Sequence, residues 1–268
     1  MTSRSDLTSQ ARVAADGVPT ARRVPFDAPW AWLAAGWRDL WQSPQIGLTY
    51  GLAAATSTSA LAAGLMRLEA MSLFMALAGG LLLIGPLLAV GLYETSRRHS
   101  AGHAPVLGEV LGAWIGARGQ LGFFGALLLF VFLVWLQLAF LLLMLFLGDT
   151  GLPPPGAFMQ ALLFTPRGLG LLVVGTLTGG LLAALVFLIS ALAVPMLLVR
   201  RVDAVTAARA SASAVLLNPK PMALWAALIA VLMAAGFATL LAGLVLAFPL
   251  VGHATWHAYA DVFDEQAK

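Results

Sequence analysis

Residues 121–147 read LGFFGALLLFVFLVWLQLAFLLLMLFL, an uncharged run in which Gln137 is the one strongly polar side chain. A helix rises 1.5 Å per residue, so roughly 20 apolar residues cross the ~30 Å hydrocarbon core of a bilayer. This run exceeds that length, and so do the uncharged runs 168–199 and 221–252. The whole chain is 60% hydrophobic and only 10% charged, where soluble chains carry roughly 25% charge. The sequence therefore describes an all-α, polytopic membrane protein.

Working back from that run, residues 96–120 are polar, with Arg97, Arg98, His99, His103 and Arg118. A short surface helix is expected within them, over 105–117. A span over about 72–95 precedes them, and Pro86 should kink it. Before it lie a loop with Arg67 and Glu69 and a first span over about 46–66. Gly51, Ala55, Ser59 and Ala63 recur there every four residues, a stripe that lets another membrane helix approach closely. Ser43-Pro44 signals the start of this span, with serine as N-cap and proline at the first helical position. In residues 28–43, Trp30, Leu33, Trp37, Leu40 and Trp41 repeat at three- and four-residue steps, with Arg38, Asp39 and Gln42 largely elsewhere. That pattern predicts an interfacial amphipathic helix. Residues 1–25 lack an apolar core, so no cleavable signal is expected, only a disordered cytoplasmic tail.

Working forward, Gly148-Asp149-Thr150-Gly151 and Pro153-Pro154-Pro155 predict a rigid loop. Thr165-Pro166 opens a span over about 168–199, with a Gly175, Gly179, Ala183 stripe and a bend at Pro195. Residues 200–217 return to polar character as a third interfacial helix, and Asn218-Pro219 repeats the start signal of Ser43-Pro44. As one helix, 221–260 would reach about 60 Å, twice the hydrocarbon thickness. A split near Gly236 gives spans over about 221–236 and 238–258. The total is six transmembrane helices, with five, including one long kinked helix, as the alternative. Residues 26–263 form a single transmembrane domain, followed by a 264–268 tail.

With the N-terminus inside, only Arg67 and Arg167 fall outside, which leaves thirteen of the fifteen basic residues in cytoplasmic segments. This positive-inside bias orients the chain with both termini cytoplasmic. It also accounts for the pI of about 9.8 through contact with anionic lipid, without nucleic acid. A unit of surface helix plus two spans recurs three times, which predicts three parallel helix-hairpin repeats about an axis along the membrane normal.

The motifs AGWRDLW (35–41), GPLLAVGLYE (85–94), NP (218–219) and GHATWHAY (252–259) resemble those of domain-of-unknown-function family 2189, predicted integral membrane proteins of Gram-negative bacteria. The resemblance covers about 26–263. It implies an inner-membrane location and supplies no reaction.

With no cysteine, disulfides, thiolate metal sites and thiol catalysis are excluded. No nucleotide loop, Ser/His/Asp set or paired mid-membrane carboxylates appear, which argues against a pump or protease. His253 and His257 stand four apart, on one side of a helix. That spacing suits a transition metal, provided more ligands join. Glu94 is the third candidate, because its span also ends at the cytoplasmic face. His99 and His103 repeat the spacing, but Gly102 and Pro105 make that stretch loop-like. Against this metal set stands an interfacial anchor: Trp30, Trp37, Trp41, Trp256 and Tyr259 at headgroup level, with the histidines bonded to water, headgroups or loop carbonyls. Glu94 beside Arg97 and Arg98 also reads as a surface ion pair worth less than about 1 kcal/mol.

The function expected is a non-enzymatic inner-membrane accessory or assembly component of another membrane complex, with no cofactor. The alternatives are a small-solute or lipid transporter bent around Pro86, Pro195 and Pro249, and a metal-binding protein at His253, His257 and Glu94.

Overall fold

The computed structural model of the chain describes residues 19–68, 70, 73–116, 118–148 and 155–264. The described residues form helices joined by short turns: α1 (Ala28–Gln42), α2 (Pro44–Arg67), α3 (Phe74–Leu88), α4 (Val90–Ser100), α5 (Leu107–Gly116), α6 (Arg118–Leu147), α7 (Pro155–Phe164), α8 (Pro166–Ser190), α9 (Ala193–Val199), α10 (Ala204–Leu217), α11 (Pro219–Ala238) and α12 (Leu244–Val262). The expected loop at 149–154 lies outside the described residues.

Three stretches, Gly119–Leu147, Pro166–Val199 and Pro219–Ala238, are long and apolar enough to cross a membrane. The architecture is all-α and multi-pass. Helix α2 has 24 residues but is diluted by the Thr56–Ser59 run. Helix α12 has 19 and carries His253, His257 and Asp261. Helix α3 stops after Pro86, and the chain continues as α4 beyond a break at Ala89. A matching break at Ala191–Leu192 separates α8 from α9, where Pro195 sits.

Of the three expected N-caps only Thr165 acts as one, its Oγ1 accepting from the Gly168 N–H at 3.0 Å. Ser43 and Asn218 make no cap; their side chains go to tertiary partners. Asp203, which carried no expectation, caps α10 by accepting from the Val205 and Thr206 N–H groups at 2.9 Å each.

The 221–260 run breaks at Thr239–Gly243, three residues past the expected point, and the chain turns back on itself. Leu240 and Leu241 take φ of 53° and 70°, the left-handed region that disfavours branched residues. Gly236 and Gly243 let the hairpin close. A Cβ at Gly236 would lie 2.7 Å from Leu244 Cδ2, and one at Gly243 would lie 3.0 Å from Gly236 Cα. One long kinked helix is therefore not what the chain forms here.

The long helices sort into two groups. Helices α2 and α11 both pack on α12, and α3, α6 and α8 pack on one another, while α3 and α8 make little contact with α11 and α12. In the first group the backbones of α2 and α12 touch, since a Cβ at Gly51 would lie 2.0 Å from the Val245 oxygen. In the second, Trp135 of α6 is the wedge. Its indole N–H donates to the Ala76 carbonyl at 2.7 Å, and its ring lies against Gly80 and Gly179. Only 11% of the α6 stretch is buried, against 50% of the α8–α9 stretch. The outer face of α6 is thus bulky and uncovered, and Gln137 is exposed on it. The groups are joined at their polar end, where α1, α4, α9, α10 and the end of α12 share one core.

Two expectations are corrected by this core. Helix α1 does not have a single apolar stripe. Trp30, Trp37 and Trp41 are exposed, while Trp32, Ala35, Gly36, Asp39 and Leu40 are buried. Asp39 goes inward because its carboxylate finds partners there. Nor is the tail loose up to residue 25. The Arg22 N–H donates to the Val262 carbonyl at 2.9 Å, and the Arg22 guanidinium pairs with Asp261. Asn218 accepts from the Val24 N–H and donates to the Arg22 carbonyl, both at 2.9 Å. Residues 22–24 are a strap tied to the far end of the chain. Residues 1–18 and 265–268 lie outside the described residues.

Candidate functional site

The polar half of α12 is the hub of the joined end. It packs against α1 through Gly36, where a Cβ would lie 2.6 Å from the Ala254 nitrogen. Its other neighbours are α2, α4 and α11. His253 is fully buried, with Nδ1 2.8 Å from Ser96 Oγ. The His257 Nε2–H donates to Asp39 Oδ2 at 2.7 Å. His99 Nε2 lies 2.9 Å from Ser43 Oγ, and its Nδ1 is 3.6 Å from Asp39 Oδ1. One turn on, the Trp32 indole N–H donates to Asp261 Oδ2 at 2.9 Å. Helices α1, α4 and α12 are thereby stitched together, with Asp39 and Asp261 as the two carboxylates.

The bonding sets the tautomers. A carboxylate only accepts, so the His257 Nε2–H donates to Asp39. His253 faces Ser96 Oγ through Nδ1, and its Nδ1–H donates there. The bare nitrogen of His253 is Nε2, which is buried without a partner, and an unsatisfied acceptor is better tolerated than an orphaned N–H. Burial opposes ionisation of Asp39, but the hydrogen bond from His257, the nearby Ser96 hydroxyl and the nearby imidazoles outweigh it. They hold its carboxyl below the usual aspartate value.

The expected metal donors do not converge. Both Glu94 oxygens accept from Arg97 at 2.7 Å, and Oε1 also accepts from Arg98 at 2.7 Å. Glu94 is held by arginines one turn further along its own helix, His253 by Ser96 and His257 by Asp39. Among the described residues no group of three or more His, Asp or Glu side chains is arranged to hold a metal ion. Glu94 itself is buried, 6% exposed, while Arg97 and Arg98 are half-buried. His103 is exposed, at a recess on the rim of the hub shared with Gln42, Ser43 and His99.

The expected anchor residues divide. Trp30, Trp37 and Trp41 are exposed, with Trp37 and Trp41 edge to face at 5.6 Å. Trp256 and Tyr259 are buried instead, in a ring series with Phe263 at 5.5 and 5.4 Å. They fill the hub and do not face headgroups. Sequence reasoning missed Asp39, Ser96, Ser43 and Asp261. The available signal was two carboxylates placed on helices rich in tryptophan and histidine, where an unpaired charge is costly.

A second feature lies between the two helix groups. A cavity of about 1120 Å³ separates them, larger than the ~300–1,000 Å³ of ordinary small-molecule sites. Its wall is overwhelmingly apolar, from Leu83 and Trp135 on one side to Ile229 and Phe248 on the other. The Gly175, Gly179, Ala183 stripe lines it, so small residues read as a helix-packing seam here widen a cleft. Tyr93, Met222 and Trp225, all buried, close its polar end. Trp225 stands edge-on to Trp32 at 5.9 Å, and its indole N–H has no acceptor.

These features define a multi-pass integral membrane protein with a polar knot at one end and an apolar cleft within. Residues 73–199, just under half of the chain, match the family described as "Predicted integral membrane protein (DUF2189)", and over that stretch the chain is similar to it. The 85–94 motif lies inside the matched stretch, while the 35–41, 218–219 and 252–259 motifs lie outside it. Neither the comparison with curated proteins nor that with solved structures returned a match.

Proposed function

We propose that the chain is a non-enzymatic bacterial inner-membrane protein that holds a hydrophobic guest in the cleft between its two helix groups. The cleft carries this reading. Its wall is apolar, it lies among the helices apolar enough to cross a bilayer, and apart from the α2–α3 turn the two groups make little contact away from the knot end. The crossings in this reading are six: α2, α3 with α4, α6, α8 with α9, α11 and α12. Each hairpin α2–α3, α6–α8 and α11–α12 follows a surface helix (α1, α5 and α10), as three parallel repeats would require. The basic residues put the knot and both termini in the cytoplasm, with Trp30, Trp37 and Trp41 at headgroup level.

Gly175 and Gly180 line the cleft and have open space where a Cβ would go. Leucine at both positions should fill the cleft without clashing. The purified chain should carry co-extracted hydrophobic molecules, detected by mass spectrometry, and the double leucine variant should carry fewer. No retained molecule, or equal retention by the variant, would overturn the reading.

A second reading, an accessory component of another membrane complex, draws on the uncovered face of α6, where Phe130, Leu133 and Leu145 are exposed. A chain that stays monomeric and brings down no partner on gentle detergent extraction would remove its support.

A further inference from the structure

We infer that the guest is an anionic glycerophospholipid taken from the leaflet at the knot end, with its tails in the cleft and its phosphate between Arg209 and Lys220. This rests on the cleft reading above and adds the headgroup. Volume argues first. A methylene takes up about as much room as a liquid water, ~30 Å³, so the cleft accommodates roughly the tails of one diacyl lipid. A small solute would leave most of this apolar wall bare.

The edge of the cleft argues second. Leu216 and Pro219, at the α10–α11 corner, both line the cleft and are exposed on the outer surface. A tail can therefore enter sideways at this corner. Arg209 precedes Leu216 by seven residues, so it lies on the same face of α10, roughly 10 Å along the axis. Lys220 directly follows Pro219. Both cations are exposed, and neither has an ion-pair partner among the described residues. Near the knot, Arg22 is engaged by Asp261, and Arg97 and Arg98 by Glu94, while Arg23, Arg38 and Arg201 are exposed on segments that do not line the cleft. The nearest acid in sequence, Asp203, is occupied in capping α10 through Val205 and Thr206. The corner therefore presents uncompensated positive charge beside a greasy opening. Long cationic side chains reach from such a position to the headgroup plane.

The test uses the full chain reconstituted in nanodiscs, with native mass spectrometry and a competition assay. The probes are phosphatidylglycerol, phosphatidylcholine and inorganic phosphate. Phosphatidylglycerol should be retained in preference to phosphatidylcholine. At about fivefold per cation (about 1 kcal/mol each), Arg209→Gln with Lys220→Gln should weaken phosphatidylglycerol roughly 25-fold and leave phosphatidylcholine unchanged. Exchanging the cations, Arg209→Lys with Lys220→Arg, should restore it. The Gly175→Leu, Gly180→Leu variant should weaken both lipids. Equal retention of the two lipids by the wild type, or no effect of the glutamine pair, overturns the headgroup assignment and leaves the cleft reading standing. Displacement of bound lipid by millimolar inorganic phosphate overturns a lipid ligand in favour of a free anion. No retained lipid, or lipid indifferent to the leucine pair, overturns both.

Discussion

Asp39 offers the sharpest test of how the knot holds the molecule together. It is a carboxylate 218 residues from the His257 that donates to it at 2.7 Å, and both side chains are largely shielded, 8% and 13% exposed. A hydrogen bond to a charged group nets about 1.5–3 kcal/mol, and a neutral one about 0.5–1.5. Asp39 accepts from His257, so Asp39→Ala should cost about 1.5–3 kcal/mol. Asp39→Asn keeps the shape and loses the charge, and should cost about half as much. Because the residues are in contact, Asp39→Ala and His257→Ala should not add. Their coupling should be about 1.5–3 kcal/mol, the worth of the one bond they share. The assay is equilibrium unfolding in mixed detergent micelles, followed by fluorescence of the buried Trp32 and Trp225. A coupling below about 0.5 kcal/mol, within the range of independent sites, would refute the knot as a structural device.

The same carboxyl sets an acid limb. Its folded pKa is depressed, so its stabilisation is complete above the ordinary aspartate value of about 3.9 and drains as pH falls through the lower folded value. Asp39→Asn should flatten that limb in a pH series of unfolding midpoints. Gly51→Ala places a methyl 2.0 Å from the Val245 oxygen and should destabilise the chain by at least about 1–3 kcal/mol. Gly64→Ala, with nothing within 4 Å, should be neutral in the same measurement. Asn218→Ala should release the strap, costing about 1–3 kcal/mol and speeding tryptic cleavage after Arg22 and Arg23, which is read by intact mass. The chain has no cysteine, so a single introduced thiol reports sidedness. Leu240→Cys should react with a membrane-impermeant maleimide from outside intact spheroplasts, and Ala104→Cys only after permeabilisation.

The membrane class was legible because an uncharged run such as 121–147 has one physical solution in lipid: a helix that satisfies its own backbone. The break in the 221–260 run was legible from length alone, though Leu240 and Leu241 at positive φ gave no local signal. The knot was hidden for two reasons. A Ser or Asn before proline looks the same whether it caps its own helix or turns toward another. Ser43 and Asn218 turn away, while Thr165 caps. The four-residue spacing did put His253 and His257 on one side of α12. It could not show that α4 and α1 flank that side, so that Ser96 takes one ring and Asp39 the other. Asp39 itself read as a solvent-facing charge because its partner is nearly a chain length away.

The strap has a consequence for biogenesis. Residues 22–24 and helix α1 are the first of the described elements to leave the ribosome, and Asn218, Asp261 and Val262, to which the strap is tied, are among the last. Until α12 is made, Trp32 lacks Asp261 and Asp39 lacks His257. Until then the first helix holds only the partners that α4 supplies. Its full docking thus waits on α12, and a chain truncated before residue 253 would leave Trp32 and Asp39 permanently without those two partners.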